Sequence, residues 1–118
     1  MTELSAHTKK FQKELNAGTS SLILLSVLSR SKEPMYGYQI AKLLEENGPD
    51  LPLMKQGTLY PVLRSLEENG LLSSMVEPSV SGPPRRYYTI TPEGREAIKE
   101  WQEIWEQTKK FVDTILKG

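Results

Sequence analysis

Lys55, Gln56, Thr58, Tyr60, Pro61 and Arg64 fall within one ten-residue stretch, and Ser65 follows. Cations in such a stretch can neutralise phosphates, while the hydroxyls of Thr58 and Tyr60 can hydrogen-bond phosphate or base edges, fixing register more than sequence. The bland reading is the solvated face of an ordinary amphipathic helix. A second cluster, Arg85-Arg86 followed by Tyr87-Tyr88, fits either a charged strand reaching for a nucleic-acid backbone or a solvated edge strand with some cation–π packing. A third is Trp101 and Trp105, one helical turn apart: these indoles are core, interface, or a surface on which a flat ligand stacks.

The first cluster needs a helix to present it. Leu59, Leu63 and Leu66 recur at helical spacing with Val62 beside them, which predicts one buried face, and Asn69-Gly70 predicts the C-terminal stop. Pro61 has no backbone N–H to give, so the helix should begin near Gly57 to Tyr60. Glu67 and Glu68 fall in the second half, leaving hydroxyls and the Arg64 guanidinium toward the positive N-terminal end, the usual shape of a DNA recognition helix.

The second cluster needs a hairpin. Leu71–Val76 and Arg85–Thr91 are rich in strand formers, and the Pro78–Pro84 segment between them is a loop that no helix could cross. The third needs a long helix. Thr91-Pro92-Glu93 is a helix start, and Ile98, Trp101, Trp105, Thr108, Val112 and Ile115 follow at alternating three- and four-residue steps, with Ile104, Phe111 and Leu116 widening the stripe. A helix of about 25 residues spans roughly 38 Å, more than a small domain covers by itself. The stripe is therefore expected to pack on a second copy of the chain, with Leu22 contributing to the same interface.

Upstream, Thr2–Leu15 reads as a short helix with Phe11 and Leu15 one turn apart, Asn16–Ser21 as a polar break, and Leu22–Leu28 as a helix apolar on nearly all sides. Tyr36–Gly48 reads as the next helix, with apolar set Ile40, Leu43 and Leu44, and the Asp50–Leu53 loop leads into the Leu59 helix. Three helices, a hairpin with paired arginines and a terminal helix give the expected fold: mainly α with a small β-hairpin, a winged helix-turn-helix plus a long C-terminal dimerisation helix. The divisions are residues 1–20 as an N-terminal helical arm, 21–91 as the winged helix-turn-helix and 92–118 as the dimerisation helix.

The composition of the 118 residues excludes several classes. There is no cysteine, and the single histidine, His7, lies near the terminus, so neither a disulfide framework, a thiolate metal site nor a Ser-His-Asp constellation can be assembled. No enzyme, metal or cofactor is implied. With no apolar run long enough to span a bilayer and no export signal, a cytoplasmic protein without a membrane partner is expected. The formal net charge of zero counts against nucleic-acid binding, but the chain holds Arg64, Arg85, Arg86 and Arg95 while its last helix holds Glu93, Glu96, Glu100, Glu103 and Glu106, so acid and base could occupy different surfaces. Neutral charge also leaves open a protein–protein interaction module that uses the same shape without specific DNA binding.

Three blocks in this order and spacing resemble the PadR-like transcriptional regulators, and within them the short, LmrR-like subgroup of multidrug-sensing repressors with a single C-terminal helix. They are Tyr36-Gly37-Tyr38-Gln39-Ile40; Gly57-Thr58-Leu59-Tyr60-Pro61-Val62-Leu63 with Leu66-Glu67 and Gly70-Leu71-Leu72; and Gly82–Thr91 with Gly94. The resemblance covers about Leu22 to Trp105. It implies a homodimeric repressor of double-stranded DNA, with the Thr58 helix in the major groove and the wing in the neighbouring minor groove. It also implies a small aromatic effector, a phenolic acid or cationic drug, stacking at the position of Trp105 with Trp101 as a further aromatic.

Overall fold

The computed structural model describes residues 4–48 and 56–118. Lys55, the Asp50–Leu53 loop and Thr2 lie outside the described residues, and of Gln56 only the backbone is described. Among the described residues the elements run α1 (Ala6–Arg30), β1 (Met35–Tyr36), α2 (Gly37–Asn47), α3 (Gln56–Glu68), β2 (Leu72–Glu77), β3 (Arg85–Ile90) and α4 (Pro92–Lys117).

The expected break at Asn16–Ser21 does not exist. α1 is one helix of 25 residues, capped by Ser5, whose side chain accepts from the Thr8 N–H at 3.3 Å. Its polar stretch stays helical because the hydroxyls turn back onto the helix: Thr19 Oγ1 donates to the Leu15 carbonyl at 2.8 Å, and Ser20 Oγ to that of Asn16. Ser20 is itself buried. The expected boundary between residues 20 and 21 thus falls inside a helix that joins the N-terminal arm to the winged helix without a hinge.

Leu24, Leu25 and Leu28 of α1 pack with Ile40, Ala41 and Leu44 of α2 and with Leu59, Leu63 and Leu66 of α3, all buried. In α2 the buried set differs from expectation by one residue: Ala41 is inside, while Leu43 is 38% exposed. α3 begins at Gln56, one residue ahead of the expected Gly57 to Tyr60 start, and Pro61 sits inside the helix. Its end is as read. Gly70 at φ +79° donates to the Glu67 carbonyl and Leu71 N–H to that of Leu66, both at 2.9 Å, a Schellman stop requiring a residue that accepts positive φ.

The hairpin is the larger part of a three-stranded antiparallel sheet ordered β1-β3-β2. β2 pairs with β3 from Leu72↔Ile90 to Glu77↔Arg85, and β1 adds Met35↔Tyr88 and Tyr36↔Tyr87. Leu72, Tyr88 and Ile90 close the core from the sheet side, and Ile98 from α4. Thr91 then starts α4 as anticipated: its Oγ1 accepts from Gly94 N–H at 3.0 Å and donates to the Gly70 carbonyl at 2.7 Å, with Pro92 at the first turn.

Candidate nucleic-acid interface and aromatic groove

α3 buries Leu59, Leu63 and Leu66, which leaves Gly57, Thr58, Pro61, Arg64, Ser65 and Glu68 exposed along its opposite face. Before Glu67 this helix carries no acid, so the exposed face is neutral or positive for its first two turns. Thr58, Pro61 and Arg64 therefore stand together on one outward surface. Tyr60 does not stand with them. It is half-buried and turned to α2, so close that a Cβ on Gly37 would lie 2.5 Å from the Tyr60 hydroxyl oxygen. One residue along a helix is a rotation of about 100°, which carries position 60 from the Leu59 stripe to its flank rather than to the outer face.

The two wing arginines have different neighbours. The Arg85 guanidinium lies over the Tyr36 ring, 4.6 Å from its centroid. Tyr36 in turn stacks on Tyr38 with centroids 6.4 Å apart and meets Tyr87 edge-on at 5.3 Å. Such an exposed cation–π contact contributes about 0.5–1 kcal/mol and restricts where the guanidinium can point. Arg86 instead donates from Nη1 to Ser74 Oγ at 2.8 Å, and Ser74 Oγ donates to Glu67 Oε2 at 2.7 Å, linking β3 through β2 to α3. Tyr88, on the inner side of the same strand, is buried; burial pushes its phenol pKa up, against a partial lowering by Arg86. Both arginines are exposed on the same wing, and Arg86 borders a space shared with Arg64, Glu67 and Glu68 of α3.

Sequence reasoning missed Tyr36, Tyr38, Ser74 and Glu67 as members of this surface. Tyr36 and Tyr38 flank Gly37, and that glycine, needed for the Tyr60 approach, was the available signal. No sequence signal marks Ser74, whose role depends on strand register.

The second candidate region is α4. Arg95 ties it to α1 by donating to the Ser29 carbonyl at 3.3 Å, and Ile98 lies in the chain's own core, so a place for Ile98 in a seam between copies is corrected: it is already covered. Trp101 also packs partly against that core. Beyond it every residue from 102 to 118 is exposed, including Ile104, Phe111, Ile115 and Leu116 at 59%, 68%, 62% and 77%. Trp105, Thr108 and Val112 are exposed in the same stretch, and Leu22 is half-buried. A groove of about 560 Å³ between α1 and α4 is lined by Leu15, Gly18, Leu22, Trp101, Ile104 and Trp105, with Glu14 the ionisable group on its wall. Trp101 and Trp105 thus border the same space. No group of acidic or histidine side chains among the described residues could hold a metal ion.

The model of the transcriptional regulator PadR-like family matches residues 24–100, from the buried leucines of α1 to the first turns of α4. This chain belongs to the PadR-like family. It is thus a transcriptional regulator built on a DNA-binding winged helix. A PadR family regulator from Eggerthella lenta DSM 2243, known from its crystal structure, is 35% identical with a TM-score of 0.75 over 92% of this chain and 91% of that one. A transcriptional regulator from Clostridium thermocellum is also 35% identical, with a TM-score of 0.74 over 86% of this chain and 96% of that one. The transcriptional regulator Rv3488 of Mycobacterium tuberculosis is 45% identical over 56 residues, 48% of this chain and 51% of that protein. The match to this curated relative therefore spans about half of its length. A long C-terminal helix accompanies the winged domain here. Among the described residues no helix is long and apolar enough to cross a membrane.

Proposed function

We propose that the protein is a cytoplasmic homodimeric repressor that binds a roughly palindromic operator and is released by a small aromatic ligand, which would place it in the LmrR-like subgroup. The observation that carries the reading is the bare apolar face of α4, exposed from residue 102 to the end, with Leu15 of α1 bordering the same groove as Ile104 and Trp105. Apolar surface of that extent is covered in stable proteins, and a two-fold pairing of α4 with α1 and α4 of a second copy would cover it with Leu22, Ile104, Trp105, Thr108, Phe111, Val112 and Ile115. Two α3 helices related by that two-fold would enter successive major grooves about 34 Å apart. Lys55, Arg64, Arg85 and Arg86 then neutralise phosphates, and Gln56, Thr58 and Pro61 lie against the groove, with Tyr60 holding α3 to α2 from behind.

If Arg64 and Arg85 each meet a phosphate, Arg64→Ala and Arg85→Ala will weaken binding to all sequences alike. A dimer loses two contacts with each substitution, so each is expected to flatten the slope of log affinity against log salt by about 1.8, or about 0.9 per contact. Fluorescence anisotropy over a salt series reads this directly; a slope equal to that of the wild type removes the residue from the contact set.

Release requires a ligand that prefers one spacing of the two α3 helices, since equal affinity for both shifts nothing. The Trp101–Trp105 groove is the proposed seat because it is apolar, borders the α4 face and holds two indoles. A flat cationic dye or phenolic acid bound there should quench tryptophan fluorescence and release operator DNA together. Trp105→Ala is expected to abolish both effects, and their survival in that variant would place the effector elsewhere.

A further inference from the structure

The Arg86–Ser74–Glu67 chain assigns a task to two residues that carry no positive charge. Glu67 is an acid on the helix that faces DNA, beside the wing, where a bare carboxylate would repel phosphate. It is not bare: Oε2 accepts from Ser74 Oγ at 2.7 Å, and that oxygen accepts from Arg86 Nη1 at 2.8 Å. Glu67 and Ser74 are half-buried while Arg86 is exposed, so the anchored end of the chain sits inside and the cationic end faces outward. Register places Ser74 for this role. Ser74 pairs with Tyr88 and Val76 with Arg86, so Ser74 and Arg86 are diagonal neighbours across adjacent strands, within reach of a long side chain. A guanidinium has five N–H donors, and one given to Ser74 leaves the rest of the fork for a phosphate while fixing its plane.

We propose that Ser74 and Glu67 are positioning residues that aim Arg86 at the DNA backbone and hold the wing at a set distance from α3. The proposal rests on the DNA-binding reading above. Ordering a long side chain in advance removes that cost from the binding step. A dimer carries the link twice, so removing it should lower operator affinity about 25-fold, about fivefold for each side chain.

The test is a double-mutant cycle on the full-length chain, read by anisotropy on the DNA upstream of its own gene, with melting midpoints recorded for every variant. Ser74→Ala is expected to weaken binding about 25-fold in the wild-type background and to change nothing in Arg86→Ala, because the group it positions is gone. Ser74→Thr keeps the hydroxyl and should bind as the wild type does, which separates positioning from a general effect on the strand. Equal losses from Ser74→Ala in both backgrounds, no loss in either, or an Arg86→Ala variant that binds like the wild type would each overturn the proposal. A wild-type chain that binds no DNA would overturn the functional reading instead.

Discussion

Replacing both Phe111 and Ile115 by aspartate is expected to make the protein a monomer and to lower its operator affinity by ~100-fold or more, the range that linking two binding modules contributes. Both side chains are more than 60% exposed on the protomer, at 68% and 62%, so neither supports the protomer's own fold. The charges would thus spare the core while facing each other across the proposed seam, where an unpaired buried carboxylate costs several kcal/mol. Sedimentation and anisotropy on the same sample decide the matter. A variant that still melts cooperatively, sediments at half the wild-type mass and binds DNA weakly is the expected result. One that remains dimeric removes this face of α4 from the interface.

Gly94→Ala is expected to destabilise the fold by about 3 kcal/mol, the upper end for forced overpacking, and to lower the melting midpoint by roughly 10 °C. A Cβ at this position would run into the Leu71 carbonyl oxygen and come within 2.7 Å of Ile90 Cγ1. The obstruction is backbone at a junction where four elements meet. Leu71 N–H donates to the α3 carbonyl of Leu66, Thr91 N–H donates to the Leu71 carbonyl, and Thr91 Oγ1 caps α4 while donating to Gly70. This junction sets the angle between α4 and α3, and hence the spacing of two recognition helices in a dimer. The substitution should therefore weaken operator binding more than non-specific binding, measured at a temperature where the variant is still folded. A midpoint within about 2 °C of the wild type would show that the Leu71 turn yields easily, contrary to this account.

Features encoded by local chemistry were legible in the sequence. Asn69-Gly70 and Thr91-Pro92 bound their helices where expected because caps depend on near neighbours, and the Leu59/Leu63/Leu66 stripe faces the core because helical spacing dictates it. Features settled at longer range were not. Asn16–Ser21 looked like a break because small polar residues favour caps, yet Thr19 and Ser20 satisfy their hydroxyls within α1 and the leucines on either side carry the helix through. β1, at two residues, is too short for any periodicity, and its pairing to β3 exists only in the assembled sheet. In α4 the seven-residue pattern is continuous, so nothing in it signals that Ile98 and Trp101 meet the chain's own core while Ile104 onward stays bare. At the candidate site, Thr58 and Arg64 came from helical phase, whereas Tyr60's turn toward Gly37 and the Ser74–Glu67 support of Arg86 depend on how α2 and the sheet dock on α3.

Two copies of this chain are expected to place their α3 helices in successive major grooves. Hydroxyl-radical footprinting of the purified protein on the DNA upstream of its own gene, with stoichiometry from the same titration, tests it most directly. Two protected half-sites about one helical turn apart, related by a two-fold, with two chains bound per operator, are expected. A single protected half-site, or a weak association that is insensitive to salt and leaves no footprint, would contradict it.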